Sequence, residues 1–337
     1  MKISVGPFER SRHLDDAAWL LSERQRRDRQ HDDRLPVIFE APDPCRPLIE
    51  QALSAPGAYG VFATADGKPA GFGIMSVQLF APTHFLSGFF PPRGASFSHS
   101  AHAAAEGIEY DVYREMYAAL GEHYVAQGYF DHTVNLSASD RAAQDAFTSL
   151  GFGRTMACAI RGVDPVERAA ANVELHQASA EDEAVIFDLN TELMLHHARS
   201  PIFQPMVRET DESSHEMQRG LLADPDANAH WVAYEDGRPV GMNTFMAPTF
   251  LSPMTLPDKT IYLFQGIVAP DARAGGVGSA ILSKGVEWAR GKGYEHVALH
   301  FAAPNVPGAK FWQSSRFVPV EYGMRRHIDE RIAWANR

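Results

Sequence analysis

The chain has 337 residues, of which 45% are hydrophobic and 22% charged, and its formal net charge is −11. This length favours two domains, and the composition is typical of a globular protein that buries a core in each. The net negative charge argues against a protein that binds nucleic acid or an anionic membrane through a basic surface, so we expect neither partner.

Cysteine usage and hydropathy indicate the compartment. Cys45 and Cys158 form no CxxC motif and no zinc-ligand spacing, which favours free thiols in a reducing compartment. The N-terminal segment turns polar after a few residues, and no apolar run reaches the ~18 residues of a membrane span. We therefore expect a cytoplasmic soluble protein that binds no metal.

The chain contains an internal repeat. Three pairs of segments resemble one another, namely RLPVIF and RSPIFQ, DGKPAG and DGRPVG, and AFTSLGF and FWQSSRF. Their offsets are 165, 170 and 165 residues, and such near-constant spacing indicates two copies of one domain. A polar, proline-containing joint separates the copies, so the predicted domains are residues 1–163 and 172–337.

In chain order, each copy is predicted to hold a short strand, a helical region with a proline-marked break, and a strand pair around an Asp-Gly turn. In the second copy, SAED (Ser179–Asp182) forms a capping box that opens a helix. The strand IYLFQGIV, a glycine-rich loop, the helix GSAILSKGVEWARGKG, the strand HVALHFA, the short helix PGAKFWQSS and the strand FVPVEYGMRRHI follow. The first copy retains the helix YREMYAALGEHYVAQG, whereas its segment PPRGASFSHSAHAAAEG is predicted to be a loop. This order indicates an α+β fold, with a mixed, mostly antiparallel sheet flanked by helices in each copy.

The glycine-rich loop VAPDARAGGVGSA, from Val268 to Ala280, is the strongest candidate for a ligand site. Between a strand and a helix, such a loop directs backbone N–H groups and the positive end of the helix dipole at a ligand, which suits a phosphate. A flexible turn is the alternative from the loop alone. No Lys-Ser/Thr follows the last glycine, and the G-x-G-x-x-G spacing is absent, so nucleotide P-loops and dinucleotide sites are excluded.

The spacing of this loop resembles motif A of the GNAT acetyltransferase superfamily. Val268, Pro270, Arg273, Gly276 and Gly278 match the pattern Val-x-Pro-x-x-Arg-x-x-Gly-x-Gly. Downstream, NVPGAKFW is similar to motif B, although its alanine comes one place late and a tryptophan replaces the usual tyrosine. The motifs cover about residues 261–317, and the repeat extends a weaker resemblance to nearly the whole chain.

The resemblance implies acetyl-CoA, or another acyl-CoA, as co-substrate. In the family the pyrophosphate lies on the backbone amides of the glycine loop, the pantetheine lies along the preceding strand, and the motif B asparagine helps to hold that arm. The implied cofactor-binding residues are Gln265, Gly266, Ile267, Val268, Arg273, Ala274, Gly275, Gly276, Val277, Gly278, Ser279, Asn305, Ala309 and Trp312.

The resemblance also bears on proton transfer. Some members carry a glutamate five residues before the motif B asparagine, and His300 occupies that position, where a histidine could deprotonate an ammonium group. A hydrogen-bonded histidine on a buried strand is the alternative. Trp312 replaces the tyrosine that often serves as the acid, so Tyr322 is a distant candidate, or no acid is needed because the CoA thiolate leaves readily.

The acceptor pocket should lie across the sheet from the CoA, beside the first helical region of the copy. His196, His197 and Arg199 lie in that region, and they either line the acceptor or belong to the helix surface. Adjacent histidines on a helix point about 100° apart, so the pair is poorly arranged for one metal ion.

The first copy lacks the glycine loop. At an offset of 165, the loop falls on Ile108–Tyr113, which contains no arginine or glycine, and Glu109 and Asp111 there would repel a phosphate. We expect a degenerate GNAT-like domain that lacks the acetyl-CoA loop but could still form one wall of the acceptor pocket. The alternative is a diverged loop that binds CoA.

These features predict an N-acetyltransferase, an acyltransferase that moves an acetyl group from acetyl-CoA to a primary amine of a small molecule. A non-catalytic acyl-CoA-binding sensor is the alternative from another class, supported by Trp312 and by the lack of a carboxylate at the base position. A repeat protein that binds no CoA is the third possibility.

Overall fold

The structure, a computed structural model, describes residues 1–167 and 171–336. Within them, thirteen strands form one continuous sheet and eight α-helices cover it. The first half contains β1 (Ile3–Pro7), α1 (Arg10–His31), α2 (Pro42–Leu53), β2 (Tyr59–Ala65), β3 (Lys68–Leu79), β4 (Arg93–Phe97), β5 (His102–Ala104), α3 (Glu109–Ala126), β6 (Asp131–Ser137), α4 (Arg141–Ser149) and β7 (Gly153–Gly162). The second half contains β8 (Glu174–Gln177), α5 (Glu183–Ala198), α6 (Asp211–Leu222), β9 (Ala229–Glu235), β10 (Arg238–Met246), β11 (Thr260–Val268), α7 (Val277–Gly291), β12 (His296–Ala302), α8 (Val306–Ser314) and β13 (Val318–His327).

The repeat is visible in the arrangement of these elements. In each half, two helices precede a β-hairpin and two more helices alternate with the later strands. Hydrophobic clusters beneath α1 and α2, and beneath α5 and α6, lie apart from those beneath α3 and α4, and beneath α7 and α8. Both halves therefore place helices on both faces of a sheet that is mostly antiparallel, as the sequence predicted.

The Asp-Gly turns form the two predicted hairpins. Asp66 and Gly67 join β2 to β3 with φ of 49° and 80°, and Asp236 and Gly237 join β9 to β10 with φ of 50° and 75°. Positive φ at both central residues matches the twist of a tight hairpin, and aspartate and glycine adopt it at low cost. The predicted capping box is also present at the turn that leads into α5. The Ser179 hydroxyl accepts from a backbone N–H of this turn, and the Asp182 carboxylate accepts from the Ser179 N–H.

The two halves exchange their last strands. The sheet runs in the order β1-β2-β3-β4-β6-β13-β7-β12-β11-β10-β9-β8, with β5 paired to β3 beside this path. Strand β13 of the second half thus lies between β6 and β7 of the first half, and β7 pairs with β12 of the second half. Domain limits at 163 and 172 stay a prediction, but a cut there would separate β13 from both of its neighbours.

The prediction of a loop over PPRGASFSHSAHAAAEG was wrong, because β4 and β5 lie within it. Most side chains of these strands are small, so the segment lacks an apolar period. Gly94 shows why small residues are needed, since a Cβ there would lie 2.7 Å from the Asp131 carbonyl oxygen on the parallel neighbour β6. The histidines of this segment, His99 and His102, are buried.

None of the helices in the described ranges combines the length and the apolar character that crossing a membrane requires.

We predict that the melting temperature falls as the pH is lowered from about 6.5 towards 4. Burial lowers the pKa of His102 to about 3 and the pKa values of His132 and His230 to about 4. In this pH range the unfolded chain binds more protons than the folded chain, so the stabilisation present above pH 6.5 is lost as the pH falls. Glu321 acts in the opposite direction, because burial raises its pKa to about 7.

Thermal unfolding at several pH values tests this prediction. The His230→Gln variant should show a shallower dependence, because it removes one of the buried neutral imidazoles. Equal slopes for the two proteins between pH 6.5 and 4 would contradict the assignment to buried histidine.

Candidate acyl-CoA site

A cleft of about 630 Å³ opens at the ends of β11 and β12. Its walls are the last residues of β11, the glycine loop with the first turn of α7, and the helix α8. Leu193 and His196 from the last turns of α5 close one side, and Arg161 from β7 of the first half lines another. Both halves of the chain therefore contribute to this cleft.

The cleft exists because two parallel strands separate. Strands β11 and β12 pair only from Thr260↔His296 to Leu263↔Leu299, whereas β11 continues to Val268. A bulge places Phe264 outside the pairing between β11 and β10, since Leu263 and Gln265 face consecutive residues of β10. A bulge re-aims the residues beyond it. After Leu263, the edge of β11 that faces β12 has no partner strand among the described residues. That edge offers backbone N–H and C=O groups to an extended ligand.

The glycine loop presents an uncapped helix N-terminus to the cleft. Ala274 and Gly276 have φ of 65° and 80°, and Gly276 is the N-cap of α7, which receives no side-chain hydrogen bond. The first turn of α7 contains no acidic residue. The first N–H groups of a helix lack partners within it and lie at the positive end of its dipole, so this end of the cleft is suited to an anion.

Charge in the cleft supports the same chemistry. Its lining includes Arg161, Arg273 and Arg316 against one carboxylate, Glu167, which lies 3.3 Å from Arg316. Arg273 donates from Nε to the Val268 carbonyl at 3.0 Å, which fixes its guanidinium beside the end of β11. The buried Arg161 donates to the carbonyl oxygens of Gly162, Asp164 and Ser315, and this ties the end of β7 to the end of α8.

Two glycines allow close packing across the cleft. A Cβ on Gly266 would lie 3.0 Å from the Trp312 ring and 3.0 Å from Asn243 Oδ1, and a Cβ on Gly278 would lie 3.2 Å from the Phe311 ring. Side chains at these positions would fill space between β11, α7 and α8. Asn243 lies on β10 beside this gap, is 5% exposed, and its Nδ2 has no hydrogen-bond partner among the described residues. Asn243 is part of the cleft lining, so a buried donor without a protein partner lies beside the cleft.

Residues 193–316, which run from α5 to the end of α8, match the Acetyltransferase (GNAT) family. The second half contains a GNAT domain.

Solved structures extend the likeness to the whole chain. A GCN5-related N-acetyltransferase from Sphaerobacter thermophilus matches with a TM-score of 0.58 and 15% identity, over 96% of this chain and 95% of that one. A GCN5-related glucosamine N-acetyltransferase region of a fungal multi-domain GH3 β-N-acetylglucosaminidase matches with a TM-score of 0.53 and 13% identity, over 96% of this chain and 38% of that one. At these identities the likeness shows the fold alone. None of the curated proteins matches the chain significantly.

Most residues that the GNAT resemblance implied for the co-substrate line the cleft. They are Gly266, Ile267, Val268, Arg273, Ala274, Gly276, Val277, Gly278, Ser279, Asn305 and Trp312. Gln265, Gly275 and Ala309 are not part of the lining. Gln265 is instead buried, donates to Asn190 Oδ1 at 2.6 Å, and accepts from Gln218 Nε2 at 2.8 Å, so its side chain holds α5 and α6 against the sheet. The assignment of these residues to acetyl-CoA stays a prediction.

Neither predicted catalytic residue lies in the lining of the GNAT cleft. His300 Nδ1 lies 2.9 Å from Tyr262 Oη, and burial lowers the pKa of His300 to about 4, so this imidazole is neutral at pH 7. Tyr322 lies on β13 with the Arg154 guanidinium 3.6 Å above its ring. Their catalytic roles remain predictions, and the surroundings of His300 are those of the alternative, a hydrogen-bonded histidine at the sheet.

The structure separates the two adjacent histidines of α5. His196 lines the cleft, and its Nε2 lies 3.3 Å from Asn305 Oδ1. His197 is not in the lining, and burial lowers its pKa to about 4.

Asn243 was missed by sequence reasoning, because one asparagine in an apolar strand carries no signal until the cleft beside it is known. Among the described residues, no group of three or more His, Cys, Asp or Glu is arranged to hold a metal ion.

The first half has a helix start where the GNAT domain has its glycine loop. Helix α3 begins at Glu109, and its first turn contains Glu109 and Asp111. Glu109 is buried, with Arg27 of α1 3.9 Å away. Carboxylates at this end of a helix occupy the place that a phosphate would take, which agrees with a degenerate site.

Proposed function

We propose that the GNAT domain transfers an acetyl group from acetyl-CoA to a primary amine of a small molecule in the cytoplasm. The observation that carries the proposal is the gap that opens where β11 and β12 separate, called the wedge below. It ends at the N-terminus of α7, which has no side-chain cap. A purified sample given acetyl-CoA and a panel of amines should release free thiol, and a lack of release with every amine would overturn the proposal.

The residues of the cleft fit an acyl-CoA. The N–H groups of residues 274–279 and the side chain of Arg273 would hold the pyrophosphate, and the free edge of β11 from Gly266 to Val268 would hold the pantetheine amides. The buried Nδ2 of Asn243 lacks a partner, which costs free energy unless a ligand carbonyl accepts from it. Acetyl-CoA supplies the acetyl group as an activated thioester.

The chain contributes position and electrostatics to the transfer. The wedge aligns the thioester with the acceptor amine, which lowers the entropic barrier to their reaction. Backbone N–H groups of β11 stabilise the negative charge that develops on the thioester oxygen when the neutral amine attacks. Trp312 has no ionisable proton, so the departing thiolate takes its proton from another group or from water.

A non-catalytic acyl-CoA sensor is the second candidate. The observation that favours it is Trp312, whose ring packs beside Gly266 where the family usually has a tyrosine. Tight acetyl-CoA binding without thiol release would support this candidate over the transferase.

We predict that Asn243→Asp weakens the binding of both CoA and acetyl-CoA, by about tenfold. The substitution keeps the size of the side chain but replaces the unpartnered Nδ2 donor by an acceptor, which removes one hydrogen bond and adds a charge to the cleft. Isothermal titration with both ligands measures the effect.

The control is Asn228→Asp, which alters an asparagine outside the cleft lining, whose Nδ2 donates to nearby backbone carbonyls. Unchanged affinity in Asn243→Asp would remove Asn243 from the binding site.

A further inference from the structure

The last turn of α5 places one histidine in the lining of the cleft. His196 is half-buried and faces the N-terminus of α8, where its Nε2 lies 3.3 Å from Asn305 Oδ1. This contact bridges the two sides of the cleft, since α5 belongs to one wall and α8 to the other.

The partners of Asn305 decide which nitrogen of His196 carries the proton. Asn305 is the N-cap of α8, and its Oδ1 accepts from the Gly308 N–H at 3.1 Å. A backbone N–H needs an acceptor, so this bond fixes which end of the amide faces His196. Because Oδ1 only accepts, the neutral imidazole must donate to it from Nε2–H, and Nδ1 keeps its lone pair free.

The other ionisable groups of the lining are poorly suited to take a proton. Arg161, Arg273 and Arg316 stay charged, and Glu167 is paired with Arg316 beside the far end of α8. His197 lies next to His196 on the helix, with ring centroids 5.8 Å apart, but it is outside the lining. Within the described lining of the cleft, His196 is therefore the side chain that can accept a proton through a free ring nitrogen.

We propose that His196 is the general base of the acetyl transfer, with Asn305 as the residue that positions it; this rests on the proposed function. Nδ1 of His196 takes a proton from the ammonium of the acceptor, and the resulting neutral amine attacks the thioester carbonyl carbon. The C–N bond forms, the C–S bond breaks with its electron pair on sulfur, and the second proton of the amine passes to the thiolate. His196 then releases its proton to solvent. The negative end of the α5 dipole favours the positive charge that His196 carries in between.

The first test is the rate of His196→Gln against pH. Glutamine keeps an amide donor for Asn305 but cannot act as a base at neutral pH, so kcat/KM at pH 7 should fall by about a hundredfold or more. The affinity for CoA should stay within about twofold, and the rise of kcat/KM with increasing pH that a general base produces should be lost. The matched control is His176→Gln, an exposed histidine on β8 outside the lining, which should behave as the parent protein.

The second test does not depend on turnover. Nitrogen-15 NMR of the histidine-labelled full chain should show neutral His196 with the proton on Nε2, and the resonance is assigned by its loss in His196→Gln. Asn305→Ala should change this tautomer balance, because the acceptor for Nε2–H is removed.

The outcomes separate the two proposals. Turnover of the parent protein with an unchanged rate in His196→Gln, or a neutral His196 protonated on Nδ1, would overturn the base assignment alone. Acetyl-CoA binding with no turnover of any amine by the parent protein would overturn the proposed function, and the base assignment with it.

Discussion

Replacing Gly276 by tryptophan is expected to weaken the affinity for CoA by at least about a hundredfold, or about 2.8 kcal/mol. Gly276 is the N-cap of α7 and lines the cleft. An indole there occupies the space in front of the first amides of α7, so a pyrophosphate cannot reach them. Isothermal titration with CoA measures the loss.

Strain of the backbone needs its own control, since Gly276 has φ of 80°. A side chain at such a φ costs about 1–2 kcal/mol of stability whatever its surroundings. Gly67→Trp matches this cost, because Gly67 also has φ of 80° but lies in the β2–β3 turn with open space around it. We expect similar losses in melting temperature for both variants and a loss of CoA binding only in Gly276→Trp. Equal CoA affinity in the two variants would contradict a pyrophosphate site at the N-terminus of α7.

The second half produced alone, from residue 172 onward, is expected to be insoluble or to melt without cooperativity. In the full chain, β13 pairs with β6 and β7 of the first half, and β12 pairs with β7 beside it. Without residues 1–163, β13 loses both neighbours and β12 presents an unpaired edge in the middle of the sheet. Exposed, apolar strand edges promote aggregation.

Co-expression of the two halves as separate chains provides the control. The exchanged strands should hold the halves together, so they should co-purify and bind CoA as the full chain does. A cooperatively folded, CoA-binding second half in the absence of the first would show that β13 finds another partner and would contradict this account.

The sequence predicted one part of the candidate site and missed another. The spacing of Arg273, Gly276 and Gly278 predicted a phosphate-binding loop, and these residues line the cleft at the start of α7. Backbone conformation at such a loop depends on local residue types, especially glycine, so spacing in the sequence carries the information. The GNAT resemblance also gave His300 a catalytic role, but that position lies outside the lining. A position counted along one strand does not reveal which face of the sheet, or which neighbouring helix, a side chain meets.

The sequence predicted the repeat from similar segments at a near-constant offset. It also predicted the two Asp-Gly hairpins, the capping box before α5 and the glycine loop, because each of these depends on conformations within a few residues. Only the tertiary structure decided the exchange of β7 and β13, the buried donor of Asn243 and the contact between His196 and Asn305. These residues lie far apart in the chain, and His196 and Asn305 are 109 positions apart. Pairing between strands of similar composition is decided by the whole sheet, since one half cannot satisfy the backbone hydrogen bonds of β13 without the other.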